Sequence, residues 1–309
     1  MEVRVFQHAD KLLWDQFVKQ SKNGTFLFER DYMDYHADRF TDCSLMIYQR
    51  NQLIALLPAH RKDNILYSHY GLTYGGFITD SGMTTPKMLD IFAAVFYFLT
   101  THQIKKLIYK TIPSIYHQIP AEEDRYALFV HKAKLFRRDV LSIVQRENRL
   151  PFQERRQRSI TKATKNKVQI QQTNDFESFW NILVENLQTK YNTQPVHTLE
   201  EIELLHGRFP VCIKLFAAYH TDKMVAGVVI YESELVAHVQ YISSSEEGRK
   251  IGALDLLFSY LLELFLDKKH FDFGISNENN GFYLNKGLIE QKEGFGARAM
   301  VHDFYELDV

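Results

Sequence analysis

Apolar β-type runs and apolar positions at helical spacing follow each other along this chain in the same order twice. Around residues 44–58 and 213–229 a β-type run is followed by a polar turn, Gln49 to Gln52 in the first and His220 to Lys223 in the second, and then by another β-type run. Each predicts an antiparallel hairpin. The first copy goes on through a glycine-bearing loop, Gly71 to Gly82, into a predicted helix over 86–102, with Pro86 in the first turn, where a missing N–H costs little. The second goes on through a strand over 234–243 and a loop over 244–249 into a helix over 250–268. In that helix Ile251, Leu254, Phe258, Leu261, Leu262 and Phe265 fall at helical spacing, and Lys268, Lys269 and His270 suit the negative end of its dipole. Each copy then continues with a short strand (106–110; 270–275), a helix (121–134; 281–290) and a closing strand (138–145; 298–307). A strand and helices precede each hairpin: 2–7 and 9–20 in the first copy, 168–172, 175–191 and 199–207 in the second.

The simplest account is an α+β chain of two tandem domains, 1–150 and 151–309, each a mixed, mostly antiparallel sheet flanked by helices. With 309 residues and 45% hydrophobic content the chain can bury two cores, and an aromatic share of 14% suits sheet-rich packing or a ligand-lined cleft. The 37 basic and 38 acidic residues leave a net charge of -1, so no overall field recruits DNA or acidic lipid. The charge is unevenly placed. From Lys132 to Lys167 there are 12 basic and 3 acidic residues, a net of +9, and the rest of the chain carries about -10. This join, about 133–167, reads either as a solvated linker helix or as a strip that binds phosphate on a nucleotide or tRNA. Only Cys43 and Cys212 are present, too few for a disulfide framework or a cysteine-based zinc site. The first residues lack a basic-then-apolar leader pattern, and the apolar run Ile91 to Leu99 is far short of the roughly 18 residues a membrane span needs, so a cytoplasmic protein without membrane insertion is expected.

Three short stretches narrow the class. They are the basic run Arg155-Arg-Gln-Arg-Ser-Ile-Thr-Lys-Ala-Thr-Lys-Asn-Lys-Val-Gln-Ile, the segment Tyr283-Leu-Asn-Lys-Gly287-Leu288, and Gln291-Lys-Glu-Gly-Phe-Gly-Ala-Arg298. With the order of elements they resemble the acetyltransferase superfold called GNAT, and the tandem arrangement resembles its Fem-like branch. The first stretch resembles the basic run that enters the second domain of Fem-like proteins. The second is similar to the Tyr-x-x-x-Gly-Phe ending of the last GNAT helix, and the third to the Lys-x-x-Phe-Gly stretch of Fem-like and related peptidoglycan or polysaccharide-locus acyltransferases.

The resemblance implies an acyl-CoA co-substrate and a pyrophosphate loop of the form Gln/Arg-x-x-Gly-x-Gly/Ala, in which glycine lets N–H groups at a helix N-terminus approach phosphate. Here Arg249-Lys250-Ile251-Gly252-Ala253-Leu254 keeps the Arg and the first Gly and has Leu where a small residue belongs. Arg249, Lys250 and Gly252 are therefore the expected donor ligands. Asn277 joins them, in the Asp272, Ser276, Asn277, Asn279, Asn280 group at the end of the penultimate strand, where GNAT-like folds splay their strands; as turn formers and helix caps these residues are equally well explained. The first copy has no basic loop before Pro86 and is expected to help shape an acceptor cleft instead. The coiled-coil insertion of some Fem proteins is absent.

Acyl transfer needs a base for the acceptor's proton, a donor for the oxyanion and a proton for the leaving group. Tyr283 matches the family position whose phenol can protonate a departing thiolate, and it also reads as a packing residue on the last helix. On the strand 234–243, alternation puts His238 and Gln240 on one face and Val239 and Tyr241 on the other. His238 titrates near neutrality when unperturbed and is the candidate base; a hydrogen-bonded structural histidine is the plainer reading. Gln240, Tyr241 and Lys286 are candidate substrate contacts, although Lys286 and Lys292 also read as exposed lysines of a surface helix. His60, His69, His117 and His131 show no metal-binding spacing, so no metal is expected. No nucleophile elbow, Walker loop or dinucleotide fingerprint occurs.

Three functions follow. The first is transfer of an acyl group from acyl-CoA or a similar donor to an amine or hydroxyl of a small-molecule, glycan or peptide precursor of the cell envelope or a polysaccharide. The second is Fem-like aminoacyl transfer with tRNA held by the basic segment. The third is a two-domain binding scaffold without catalysis.

Overall fold

The computed structural model describes residues 1–309, Tyr191 by its backbone alone. The chain forms two compact units: Met1–Asp139 with Asn279–Phe282 and Val301–Val309, and Val140–Glu278 with Tyr283–Met300. It is therefore not cut once near residue 150, because its last strand returns to the first unit.

In the first unit, β1 (Glu2–Val5) and α1 (Lys11–Gln20) are followed by the short α2 (Arg30–Met33) and β2 (Thr41–Asp42). The predicted hairpin is β3 (Leu45–Gln49) and β4 (Gln52–Leu57); then come β5 (His60–Lys62), β6 (Ile65–Tyr67), β7 (Ile78–Thr79), α3 (Thr85–Thr101), β8 (Lys106–Lys110) and α4 (Glu123–Val130). β1, β3, β4 and β7 make an antiparallel sheet. β2, β5 and β6 extend from β8, which β6 joins in parallel. α3 lays Ile91, Phe92, Val95, Phe98 and Leu99 on Leu45, Ile47, Ala55 and Leu57 of the hairpin and on Leu107 and Tyr109 of β8. Burying each such aliphatic or aromatic side chain contributes on the order of 2 kcal/mol.

The second unit opens within β9 (Lys134–Gln145), and continues with α5 (Glu154–Lys165), β10 (Gln169–Thr173), α6 (Phe176–Tyr191), α7 (Leu199–Arg208), β11 (Ile213–His220), β12 (Lys223–Glu232) and β13 (Val236–Ser244). After these come α8 (Glu246–Ile251), α9 (Ala253–Leu264), β14 (His270–Ile275), the two-residue strands β15 (Asn277–Glu278) and β16 (Tyr283–Leu284), and α10 (Lys286–Glu293); β17 (Arg298–Asp308) ends the chain. The sheet order is β10-β11-β12-β13-β14-β9, antiparallel except for the parallel pair β13 and β14. Val239, Leu257, Phe258, Leu261, Phe271, Phe273 and Phe295 share its core.

Four sequence expectations change. The closing strands are exchanged: β9 pairs with β14 in the second unit, and Phe304–Asp308 of β17 pair with β8 in the first. Either strand satisfies the same backbone groups, so alternation alone does not say which edge it joins. The single helix over 250–268 is two, split at Gly252, whose φ of 81° ends α8 and begins α9. The helix over 281–290 starts later, at Lys286, because the Asn285 side chain accepts the N–H of Leu288 and fixes the N-terminus there. The basic join is more than a solvated linker helix: it contains β9 as well as the helix α5, whose Ala163 is buried in the core.

Candidate functional site

β13 and β14 pair for only three residues each: Val236 with His270, Ala237 with Phe271, His238 with Asp272. Two irregularities then part them. On β13, Ile230 of β12 faces Val239 and Val229 faces Tyr241, so Gln240 is the extra residue of a bulge. On β14 the register against β9 shifts between Asp272 and Ile275, where Gly274 takes φ +72°. A wedge opens directly after the His238 and Asp272 pair.

The bulge corrects the predicted facing. Val239 stays in the core beneath α9, while the Tyr241 ring packs edge-on to Trp180 of α6, with centroids 5.1 Å apart. One extra residue turns every later side chain to the opposite face. The Tyr241 hydroxyl meets Nδ1 of His197 at 2.5 Å and accepts its backbone N–H, and burial pushes its pKa up to about 12. Tyr241 is thereby a packing and anchoring residue. Gln240 keeps a buried Oε1 with no hydrogen-bond partner among the described residues.

His238 is buried, and its Nδ1 lies 2.8 Å from Oδ2 of Asp272, which is itself 1% exposed. Oδ1 of Asp272 accepts the Gly274 N–H at 2.7 Å. Lys292, expected at the surface, is buried and donates to the carbonyls of Gly274 (3.0 Å) and Ile275 (2.5 Å). Burial lowers its pKa to about 8, against the opposing pull of Asp272. The β14 kink is thus held by Asp272 from within the strand and by α10 from outside. Asn277 is buried, and its Oδ1 accepts the Val140 N–H at 2.7 Å, which makes it a strand tie and not an open donor ligand.

A second feature of this unit is a cavity of about 350 Å³ lined by Arg155, Arg156 and Ser159 of α5, Gly248 and Arg249 of α8, Gly252, Leu254 and Asp255 at the start of α9, and Gly287 and Gln291 of α10. α5 reaches α9 through the buried pair of Arg156 Nη1 and Asp255 Oδ1 at 2.7 Å. Arg249 is steadied by donating Nη1 to Asn186 Oδ1 (2.9 Å) and the Ser244 carbonyl (2.6 Å). Arg155 is exposed and has no ion pair among the described residues. The cavity joins three guanidinium groups, that of Arg156 already paired with Asp255, to the positive end of the 12-residue helix α9, a setting for an anion.

Of the predicted donor ligands, Arg249 and Gly252 meet at this cavity. Lys250 points away, paired with Glu246 in solvent at 2.7 Å. Lys286 is exposed beside Gly287 and is not among the lining residues. Tyr283 lies on β16, opposite Glu278 of β15 and not on a helix; it is 57% exposed and is not among the residues that line the cavity. Sequence reading passed over Arg155, Arg156 and Ser159 as individuals, although the basic run that carries them was visible. It grouped Asp272 with residues at the donor-admitting strand end and weighed Lys292 as a phosphate or carboxylate ligand against an exposed surface lysine, and it missed that both are buried, since burial is a tertiary property.

The first unit brings together histidines that looked scattered. His69 lies 5.2 Å from His36 and 5.4 Å from His60 between ring centroids, all three buried. Among the described residues, no group of three or more His, Cys, Asp or Glu is arranged to hold a metal ion, and no helix is long and apolar enough to cross a membrane.

Residues 154–281 match the family model of the acetyltransferase (GNAT) domain. That match lies almost wholly within the second unit. No curated protein matches the chain. Among solved structures, FemX is 10% identical with a TM-score of 0.67, covering 98% of this chain and 97% of its own. The C-terminal domain of a putative lysylphosphatidylglycerol synthetase from Agrobacterium fabrum is 10% identical with a TM-score of 0.64, over 98% and 92%. A tandem GNAT protein from the clavulanic acid biosynthesis pathway is 10% identical with a TM-score of 0.55, over 99% and 98%. At such identities the likeness is one of fold, and the fold is that of two GNAT-like domains in tandem.

Proposed function

We propose that this GNAT acyltransferase takes its acyl group from a phosphate-bearing donor, acyl-CoA first, and passes it to an amine or hydroxyl. The observation that carries the reading is the cavity where Arg155, Arg249 and the first turn of α9 converge, which suits a diphosphate better than a neutral ligand. His238, at the mouth of the wedge, is the base that takes the acceptor's proton. Backbone N–H groups of the bulged stretch around Gln240, beyond the end of the β13 and β14 ladder, are the candidate oxyanion donors. A cell-envelope precursor as acceptor agrees with the sequence resemblance, and a fold neighbour named for lysylphosphatidylglycerol synthesis supports the same direction.

Calorimetry with acetyl-CoA and CoA tests this. Arg155→Ala and Arg249→Ala are each expected to weaken binding about tenfold, the worth of roughly one charge-assisted hydrogen bond. Unchanged affinity in both variants overturns the donor site.

One observation favours a second reading, an aminoacyl-tRNA donor. Arg155, Arg158, Lys162 and Lys165 of α5 are exposed, without ion pairs among the described residues, and spaced at three or four residues along the helix. A polyanion on this face would bind with an affinity that falls steeply as salt rises. Binding of tRNA with such a slope, without binding of CoA, selects this reading.

A further inference from the structure

Among the described residues Asp272 is the carboxylate paired with the candidate base, and both its oxygens are committed, Oδ2 to His238 Nδ1 and Oδ1 to the Gly274 N–H. An imidazole whose Nδ1–H donates to a carboxylate keeps its lone pair on Nε2. Among the described residues Nε2 of His238 has no hydrogen-bond partner, and about 10% of the side chain's surface stays exposed. The pair also stands at the last rung before the strands separate, so the Oδ1 bond that shapes the kink and the Oδ2 bond that turns the ring come from one side chain.

Resting on the acyl-transfer reading above, we propose that Asp272 is the positioning residue of the reaction. Its carboxylate holds His238 in the Nδ1–H tautomer with Nε2 facing the wedge, and steadies the imidazolium that forms when Nε2 takes the proton. In the step it supports, the proton moves from the acceptor's N–H or O–H to Nε2 while the acceptor's lone pair bonds to the donor's carbonyl carbon. The bond from that carbon to the leaving sulfur breaks, the sulfur keeps the electron pair, and the imidazolium returns the proton to it. Lys292 belongs to the same corner but acts on backbone: its ammonium holds the carbonyls of Gly274 and Ile275 and so keeps β14 turned away from β13.

The test combines kinetics with nitrogen NMR of the full chain. The isosteric Asp272→Asn keeps an acceptor for the Gly274 N–H and removes the charge. It is expected to lower kcat about 100-fold, the usual worth of a working base, with KM for acyl-CoA changed less than threefold. In a His238→Ala background the same substitution is expected to add less than threefold, because the two residues act as a unit. The wild-type imidazole is expected as a single Nδ1–H tautomer, and the variant as a mixture. An Nε2–H tautomer in the wild type, an unchanged kcat, or losses that multiply in the double variant each overturn the proposal. The NMR readout needs no turnover. A wild type with the Nδ1–H tautomer that turns over no acyl donor refutes the acyl-transfer reading and the catalytic role with it, and leaves only the dyad geometry standing.

Discussion

Replacing Gly252 by alanine perturbs the fold and the candidate donor site at one point. The residue has φ +81°, and a Cβ built on it would lie 2.5 Å from Ser159 Oγ and 2.6 Å from the Ser159 backbone carbonyl oxygen. An L-residue in the left-handed region costs about 1–2 kcal/mol. The hydroxyl can rotate away, but the carbonyl belongs to α5, so relief requires α5 to move from α9, an overpacking cost of about 1–3 kcal/mol. The expected loss is roughly 2–5 kcal/mol, a large share of an ordinary domain's stability. Trp180, buried on α6, reports the second unit, and with Trp14 of the first unit changed to Phe its fluorescence follows urea unfolding of that unit alone. Gly207→Ala is the control: it sits in α7 with nothing within 4 Å of the added Cβ, and is expected to be neutral or to stabilise by up to about 1 kcal/mol. Adding Ser159→Gly to Gly252→Ala removes the hydroxyl contact and leaves the carbonyl contact, so only a small part of the loss is expected back. A Gly252→Ala transition within about 0.5 kcal/mol of wild type refutes the reasoning, since neither the backbone conformation nor the approach of α5 would then be real.

Other consequences are as open to measurement. Arg156→Met leaves Asp255 buried without its cation and is expected to cost about 3–5 kcal/mol, whereas Arg156→Met with Asp255→Leu recovers most of it; equal losses in the single and double variants would show that the pair is not the fastening of α5. Lys250→Ala breaks only a solvent-exposed pair and is expected to change stability and donor affinity by less than about 0.5 kcal/mol; a clear loss of affinity would return Lys250 to the site. The first unit should be acid-sensitive. Burial lowers the pKa values of His36 and His60 to about 4, and that of His69 well below its ordinary value. These rings stay neutral in the folded chain while the unfolded chain takes up protons below about pH 6.5, so stability is full above that pH and falls as pH drops toward 4, by on the order of 3 kcal/mol for one ring. A urea midpoint, read from Trp14, that stays flat between pH 7 and 5 would contradict it.

The hairpins, the helices after them and the tandem plan were legible because patterning is local: Leu45 to Leu57 and Ile213 to Ile230 are apolar β-type runs broken by a polar turn, as strands buried on both faces are, and Ile91 to Leu99 repeats as a buried helix does. The basic run at 155–167 and the Arg249 to Gly252 spacing were equally visible. What remained illegible lies where a single backbone event redirects side chains. The bulge at Gln240 sends Tyr241 to α6 against simple alternation, and no residue type in that stretch announces it. Lys292 and Lys286 are alike in composition and differ only in what packs over them.

By itself the sequence determined two α+β domains, the second with a glycine-and-arginine turn before an apolar helix, because periodicity and turn chemistry act over a few residues. Only the tertiary structure decided that the closing strands exchange units, that Arg155 and Arg249 line one cavity, and that Asp272 meets His238 where the strands part. Those depend on contacts between residues far apart in the chain, such as the 34 positions from His238 to Asp272, and a local pattern carries no record of which distant partner a strand or charge will find.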